Sequence, residues 1–159
     1  MSVNLSDRNS KLEVLSVASR LYDECESLAL REFGIRSVSN PLRAKYQYLL
    51  GKESDPSVVD DILRDKSLTI LRTAEDIVTL IDGANAIYPR FKSEFETRLE
   101  LQNLAIAACS MLSTELSNVV HFLDVDITAF KIVNDLLQKV SHLLVEWRKS
   151  DRKLYKKCL

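Results

Sequence analysis

The stretch Arg98–Leu123, RLELQNLAIAACSMLSTELSNVVHFL, decides the fold class. Leu101, Ala105, Ala108, Leu112, Leu116, Val119 and Leu123 recur at a mean step of about 3.7 residues, close to the ~3.6-residue turn of an α-helix. Leu104, Met111 and Phe122 widen that line on one side, and Cys109 and Val120 widen it on the other. An apolar face of this width belongs to a helix covered by neighbours on two sides. Alanines at 105, 107 and 108 permit close approach of another helix, and no glycine or proline interrupts the run. The pattern predicts the central helix of a bundle.

Beyond it, Leu123-Asp124-Val125-Asp126 is a short joint, with Asp126 placed to cap a fourth helix. That helix is expected to bury Ala129, Ile132, Val133, Leu136, Val140, Leu143, Leu144 and Trp147, with Lys131, Asp135, Gln138 and His142 on the wet side. A joint this short makes the two helices antiparallel neighbours. On the other flank, the segment from Gly83 to Arg90 breaks the helical pattern, and the residue before Pro89 is pushed away from the α region. The third helix is therefore expected to begin near Ser93.

Asp55-Pro56 offers an N-cap followed by proline at the first helical position. A second helix should run from there to about Ala84 on the line Val59, Leu63, Ser67, Ile70, Ala74, Ile77, Ile81 and Ala84, weakest around Arg64–Ser67. The first helix is expected from Lys11 to about Phe33 on Leu12, Leu15, Ala18, Tyr22, Cys25, Ala29 and Phe33. Asn9 or Ser10 would cap it, and Gly34 would end it. Residues 35–55 are open to two readings, a tethered loop or a short extra helix near 41–50. The expected fold is all-α, an antiparallel up-down four-helix bundle over 11–153, with a flexible N-terminus at 1–10 and a basic tail at 154–159.

Composition narrows the function classes. The 159 residues suit one domain with a real core, and three glycines and three prolines argue for few long elements. No apolar run approaches the ~18 residues of a membrane span, and the N-terminus lacks the apolar core of a secretory signal. A cytoplasmic location with no membrane partner is the expectation. Cys25, Cys109 and Cys158 form no CxxC pair, so neither a disulfide framework nor a zinc site is indicated. Glycines at 34, 51 and 83 build no phosphate-cradling loop.

Metal and catalytic candidates are weak. A carboxylate-bridged centre in a bundle needs Glu-x-x-His pairs, but the residues three before His121 and His142 are Asn118 and Lys139. His121 beside Asp124 and Asp126 reads as a loop-edge histidine next to capping acids rather than a ligand set. Glu115 lies at the edge of the apolar line, where pairing with a neighbouring base or an interface explains it more simply than catalysis. Cys109 sits among small apolar residues and reads as packing. No cofactor, no metal and no enzymatic activity are expected.

Charge is unevenly spread. Residues 148–159 hold six Lys and Arg (Arg148, Lys149, Arg152, Lys153, Lys156, Lys157) against one acid, Asp151, a net +5 in a chain of net −1. If the fourth helix continues through this run, four like-charge i,i+4 pairs each cost about 0.2–0.5 kcal/mol. The helix dipole offsets part of that at a C-terminus, and a polyanion would offset more. A solvated tail and a nucleic-acid contact both fit.

Tyr88-Pro89-Arg90, Arg98, Leu101-Gln102, Ala105-Ile106, Cys109, Leu112, Glu115-Leu116, the Val125-Asp126 joint and Trp147-Arg148-Lys149-Ser150-Asp151 together resemble the Avd-like four-helix-bundle proteins. That family comprises the accessory variability determinant of diversity-generating retroelements and the related ribosomal intervening-sequence proteins. The likeness covers roughly Ile77 to Lys153, with a fainter one in the first helix. It implies a subunit of a homo-oligomer, a ring-like homopentamer, that binds a reverse transcriptase and nucleic acid (template RNA). By position it makes Arg148, Lys149, Arg152 and Lys153 phosphate contacts, with Arg90 and Arg98 as weaker ones and Trp147 anchoring the base of the patch. Lys156 and Lys157 extend the same basic end. The rival expectation is a structural or adaptor bundle acting only through protein contacts, on apolar surface left at Leu99 and Ile106.

Overall fold

The computed structural model describes residues 5–31, 33, 56–122 and 127–158. It is an all-α bundle of four helices, α1 (Leu5–Leu30), α2 (Pro56–Ala86), α3 (Lys92–Phe122) and α4 (Ile127–Cys158). Each helix packs against two neighbours in the cyclic order α1, α2, α3, α4 and back to α1, with successive helices antiparallel. Cross-helix contacts fix the register. Lys66 of α2 faces Glu115 of α3, Arg98 of α3 faces Asp151 of α4, and Lys139 of α4 faces Glu13 of α1. The α2–α3 turn and the C-terminal end of α4 therefore share one end of the bundle.

The interior is the apolar seam expected of 3.5–3.6-residue periodicity. α3 buries Ala105, Ala108, Cys109, Leu112, Leu116 and Val119, while α2 buries Leu63, Ile70, Ala74, Ile77, Ile81 and Ala84. Among the expected α4 residues, Val133, Leu136, Val140, Leu144 and Trp147 are buried, Ala129 and Leu143 are half-buried, and Ile132 is exposed. Phe130 and Leu137 join this core although the sequence line did not include them. Thr73 is a buried polar residue of α2, and its hydroxyl donates to the Thr69 carbonyl at 2.9 Å, so the helix itself satisfies it.

Expectations change in three of the helices. α1 already begins at Leu5, so the described part of the supposed flexible N-terminus is helical; LSDRNSK holds neither glycine nor proline to stop it. Its core line also lies one residue round from the expected one. Val14, Val17, Leu21 and Leu28 join Ala18 and Cys25 inside, leaving Leu15, Tyr22 and Ala29 half-buried at the edge. Second, α2 runs on to Ala86, two residues past the expected end near Ala84, before Pro89 forces the turn. Third, α4 continues to Cys158, so residues 154–158 are not a separate tail.

α1 stops at Leu30, with the amide of Arg31 donating to Ser27 at 3.2 Å. Phe33 then adopts a left-handed backbone with φ of 59° and is fully buried, 6.1 Å from the Phe130 ring. A left-handed non-glycine residue costs about 1–2 kcal/mol, and burying a phenyl ring returns a similar or larger amount. Gly34, the possible helix at 41–50, and the joint Leu123–Asp126 with its proposed cap lie outside the described residues.

Candidate nucleic-acid interface

The end where α4 finishes is built on a buried polar cluster. α3 presents Arg98 and Gln102, one turn apart, to Asp151 of α4, and all three are buried. Arg98 Nη2 donates to Asp151 Oδ1 at 2.8 Å, and Nε lies 2.7 Å from Oδ2 as an ion-pair contact without hydrogen-bond alignment, so the guanidinium meets both carboxylate oxygens. Gln102 Nε2 donates to Oδ2 at 2.7 Å. Arg98 Nη1 donates to the Ile87 carbonyl at 3.2 Å, tying the α2–α3 turn to the same cluster. The guanidinium carbon stands 5.1 Å from the centre of the Trp147 ring. A charge inside a protein is tolerated only when paired and hydrogen-bonded, and here both charges are answered by one another. Arg98 Nε, Trp147 Nε1 and Gln102 Oε1 are buried in this cluster without a hydrogen-bond partner among the described residues.

This arrangement corrects the expectation for Arg98. Its guanidinium is enclosed by Asp151, Ile87 and Trp147 and does not reach solvent, so it is no direct phosphate contact. It also changes the charge balance of the tail. Asp151, which seemed to offset one of six cations, is turned inward to Arg98. Lys149, Arg152, Lys153, Lys156 and Lys157 are exposed. Arg148 is half-buried and donates to Asn103 Oδ1 at 2.9 Å, a neutral partner. Among the described residues none of these six cations lies within ion-pair distance of a carboxylate. Two of the acids at this end have other partners: Glu96 accepts from the Tyr155 hydroxyl at 3.2 Å and lies 4.0 Å from Lys92, and Glu94 accepts from the amides of Arg90 and Phe91. Arg90 is exposed on the same end, its guanidinium 6.0 Å from the Tyr88 ring centre.

The remaining candidates fall elsewhere. Leu99 and Ile106 are half-buried, Ile106 packing against the core. The larger exposed apolar groups of α3 are Leu104 and Met111, at 49% and 62% exposure. They lie two turns apart on a surface where Gln102–Val120 contains one charged residue, Glu115, itself half-buried and 3.9 Å from Lys66. His142 is exposed. Among the described residues no group of three or more His, Cys, Asp or Glu is placed to hold a metal ion, and no helix is long and apolar enough to cross a membrane. Asp124 and Asp126, weighed with His121, lie outside the described residues.

Cys25 and Cys109 are free and buried, and burial pushes both thiols from 9.0 up to about 12, with Glu24 adding to the rise at Cys25. Neither suits a nucleophile. The shift has a pH consequence. Between the unfolded and folded values the folded chain keeps protons that the unfolded chain releases. The stabilisation is complete below pH 9 and is lost as pH rises toward 12, by up to about 1.4 kcal/mol per pH unit for each thiol. Urea midpoints measured between pH 9 and 11 are expected to fall less steeply in a Cys25→Ala/Cys109→Ala variant; equal slopes would contradict this.

No protein-family model, curated protein or solved structure matches the chain.

Proposed function

We propose that the protein is a non-enzymatic accessory protein that self-associates and binds nucleic acid, template RNA of a diversity-generating retroelement, beside a reverse transcriptase. The observation that carries the nucleic-acid half is the row of cations on the last turns of α4 that meet no carboxylate among the described residues, their one acid being withdrawn to Arg98. A helix that sustains four like-charge i,i+4 pairs stands to gain when phosphates take the place of small counterions. The retroelement setting and the reverse transcriptase come from the resemblance of Tyr88–Asp151 to the Avd-like proteins. A reverse-transcriptase gene with a variable repeat beside this one supports that setting, and a neighbourhood without either removes it.

Binding is tested by titrating a fluorescent RNA strand at 50–200 mM salt. The expected result is a linear fall of log affinity with log salt, its slope reporting several phosphate contacts. Affinity indifferent to salt would exclude this mode.

Self-association draws on the sparsely charged face of α3 around Leu104 and Met111, where Glu115 is met by Lys66. Exposed apolar surface rimmed by few charges favours a like surface. Met111→Lys is expected to convert the assembly to monomer by multi-angle light scattering at micromolar concentration. A wild-type chain that is already monomeric would remove the oligomer, leaving the adaptor reading without its surface.

A further inference from the structure

The α2–α3 turn carries two aromatic rings with little cover, Tyr88 at 63% and Phe91 at 70% exposure. Large exposed rings incur a hydration cost that a purely structural turn has no need to bear. They flank an open groove of about 690 Å³ that Ile87, Glu94 and Thr97 also line. Arg90 lines it as well, its guanidinium 6.0 Å from the Tyr88 ring centre.

The turn is held in place before any ligand arrives. Glu94 Oε1 accepts from the Phe91 amide at 3.1 Å and the Arg90 amide at 3.3 Å, and the Phe91 carbonyl accepts from the amides of Glu94 and Phe95. Pro89 restricts the backbone of Tyr88. Arg98 donates to Ile87 on one side and grips Asp151 on the other, so the aromatic turn and the cationic turns of α4 hang from one buried guanidinium. Little ordering entropy remains to be lost on binding.

Charge decides what enters the groove. One carboxylate, Glu94, and one guanidinium, Arg90, line the groove, so its charge is balanced, and the uncharged face of a base stacks on Tyr88 or Phe91. Phosphates instead meet Arg90 and the Lys149, Arg152 and Lys153 group beyond. A duplex keeps its bases stacked on one another and cannot offer them to these rings; a single strand can. We infer that Tyr88 and Phe91 form a base-stacking platform, so that the nucleic acid held at this end of the bundle is single-stranded. This inference rests on the proposed nucleic-acid binding and adds the strand class and the residues that select it.

The test compares a single-stranded RNA 12-mer, an abasic strand of the same length, and a 12-base-pair duplex. The proteins are the wild-type chain, Tyr88→Ala/Phe91→Ala and Tyr88→Phe/Phe91→Tyr. Wild-type protein is expected to bind the base-bearing strand at least about tenfold more tightly than the abasic one, given the worth of base–aromatic stacking. The alanine variant should lose that preference with its salt slope unchanged, and the aromatic variant should retain it. Because both rings are exposed, the alanine variant is expected to keep the wild-type melting temperature. Equal binding of base-bearing and abasic strands by wild-type protein overturns the platform while leaving nucleic-acid binding intact. Failure to bind any of the three probes overturns both. Loss of self-association without loss of RNA binding in the alanine variant makes the groove a protein-docking surface and overturns the inference.

Discussion

Arg98→Leu is expected to lower the unfolding free energy by about 3–5 kcal/mol, the cost of leaving a buried carboxylate without its partner. Asp151 would keep the Gln102 amide at 2.7 Å but lose both guanidinium contacts. For a chain of this length that is a drop in melting temperature on the order of 10 °C. The stabilising role is conditional, because a buried ion pair often contributes no more than a well-packed apolar pair. The double variant Arg98→Leu/Asp151→Leu should therefore recover most of the loss, and a thermodynamic cycle built from urea midpoints would read the coupling directly. Arg98→Lys should fall between, since an ammonium cannot grip the carboxylate at two points and also reach Ile87. If the single leucine variant melts within a degree of wild type, the cluster is not what holds this end together. A further role of the pair is register: only with Arg98 opposite Asp151 is each charge answered, and a one-turn slip of α3 against α4 would bury both unpaired.

The second large effect belongs to the exposed cations. Arg152→Glu/Lys153→Glu/Lys156→Glu/Lys157→Glu is expected to reduce RNA affinity at least a hundredfold near 100 mM salt and to flatten the salt dependence. Each lost phosphate contact lowers the slope by about 0.7 on a single strand and about 0.9 on a duplex, so the change counts the contacts made. None of these side chains is buried, and the substitution makes two of the four i,i+4 pairs attractive (148/152 and 149/153) while the other two stay like-charged, so the fold is expected to survive it. Retained affinity with an unchanged slope would place the binding surface elsewhere.

Much of the architecture was legible because the helix period is written in apolar residues. Ile70, Ala74, Ile77, Ile81 and Ala84 on α2 and Ala105, Ala108, Leu112, Leu116 and Val119 on α3 are where spacing put them. Widths were less legible. Leu104 and Met111 extend the apolar line in sequence yet face outward, because periodicity marks a face and not how far its neighbours reach around it. The same ambiguity displaced the core line of α1 by one residue.

The buried cluster was missed although a signal existed. The seam of α3 carried back through Ala105 lands on Gln102 and Arg98, and the seam of α4 carried forward through Val140, Leu144 and Trp147 lands on Asp151. Opposite charges at the ends of two core lines, in helices already expected to be antiparallel, mark a pair. Counting Asp151 among the tail's charges hid that, and it made Arg98 look like a surface contact. Tyr88 and Phe91 were invisible for another reason. A turn shows no periodicity, so exposure there is decided only once the helices on either side are placed.

The most direct test is a chemical-shift titration of the 15N-labelled protein with single-stranded RNA. Shifts are expected to concentrate at Tyr88–Lys92 and Arg148–Lys157, the turn and the helix end that Arg98 links. Shifts concentrated at Leu28–Phe33 and Phe130, at the opposite end of the bundle, would contradict the account.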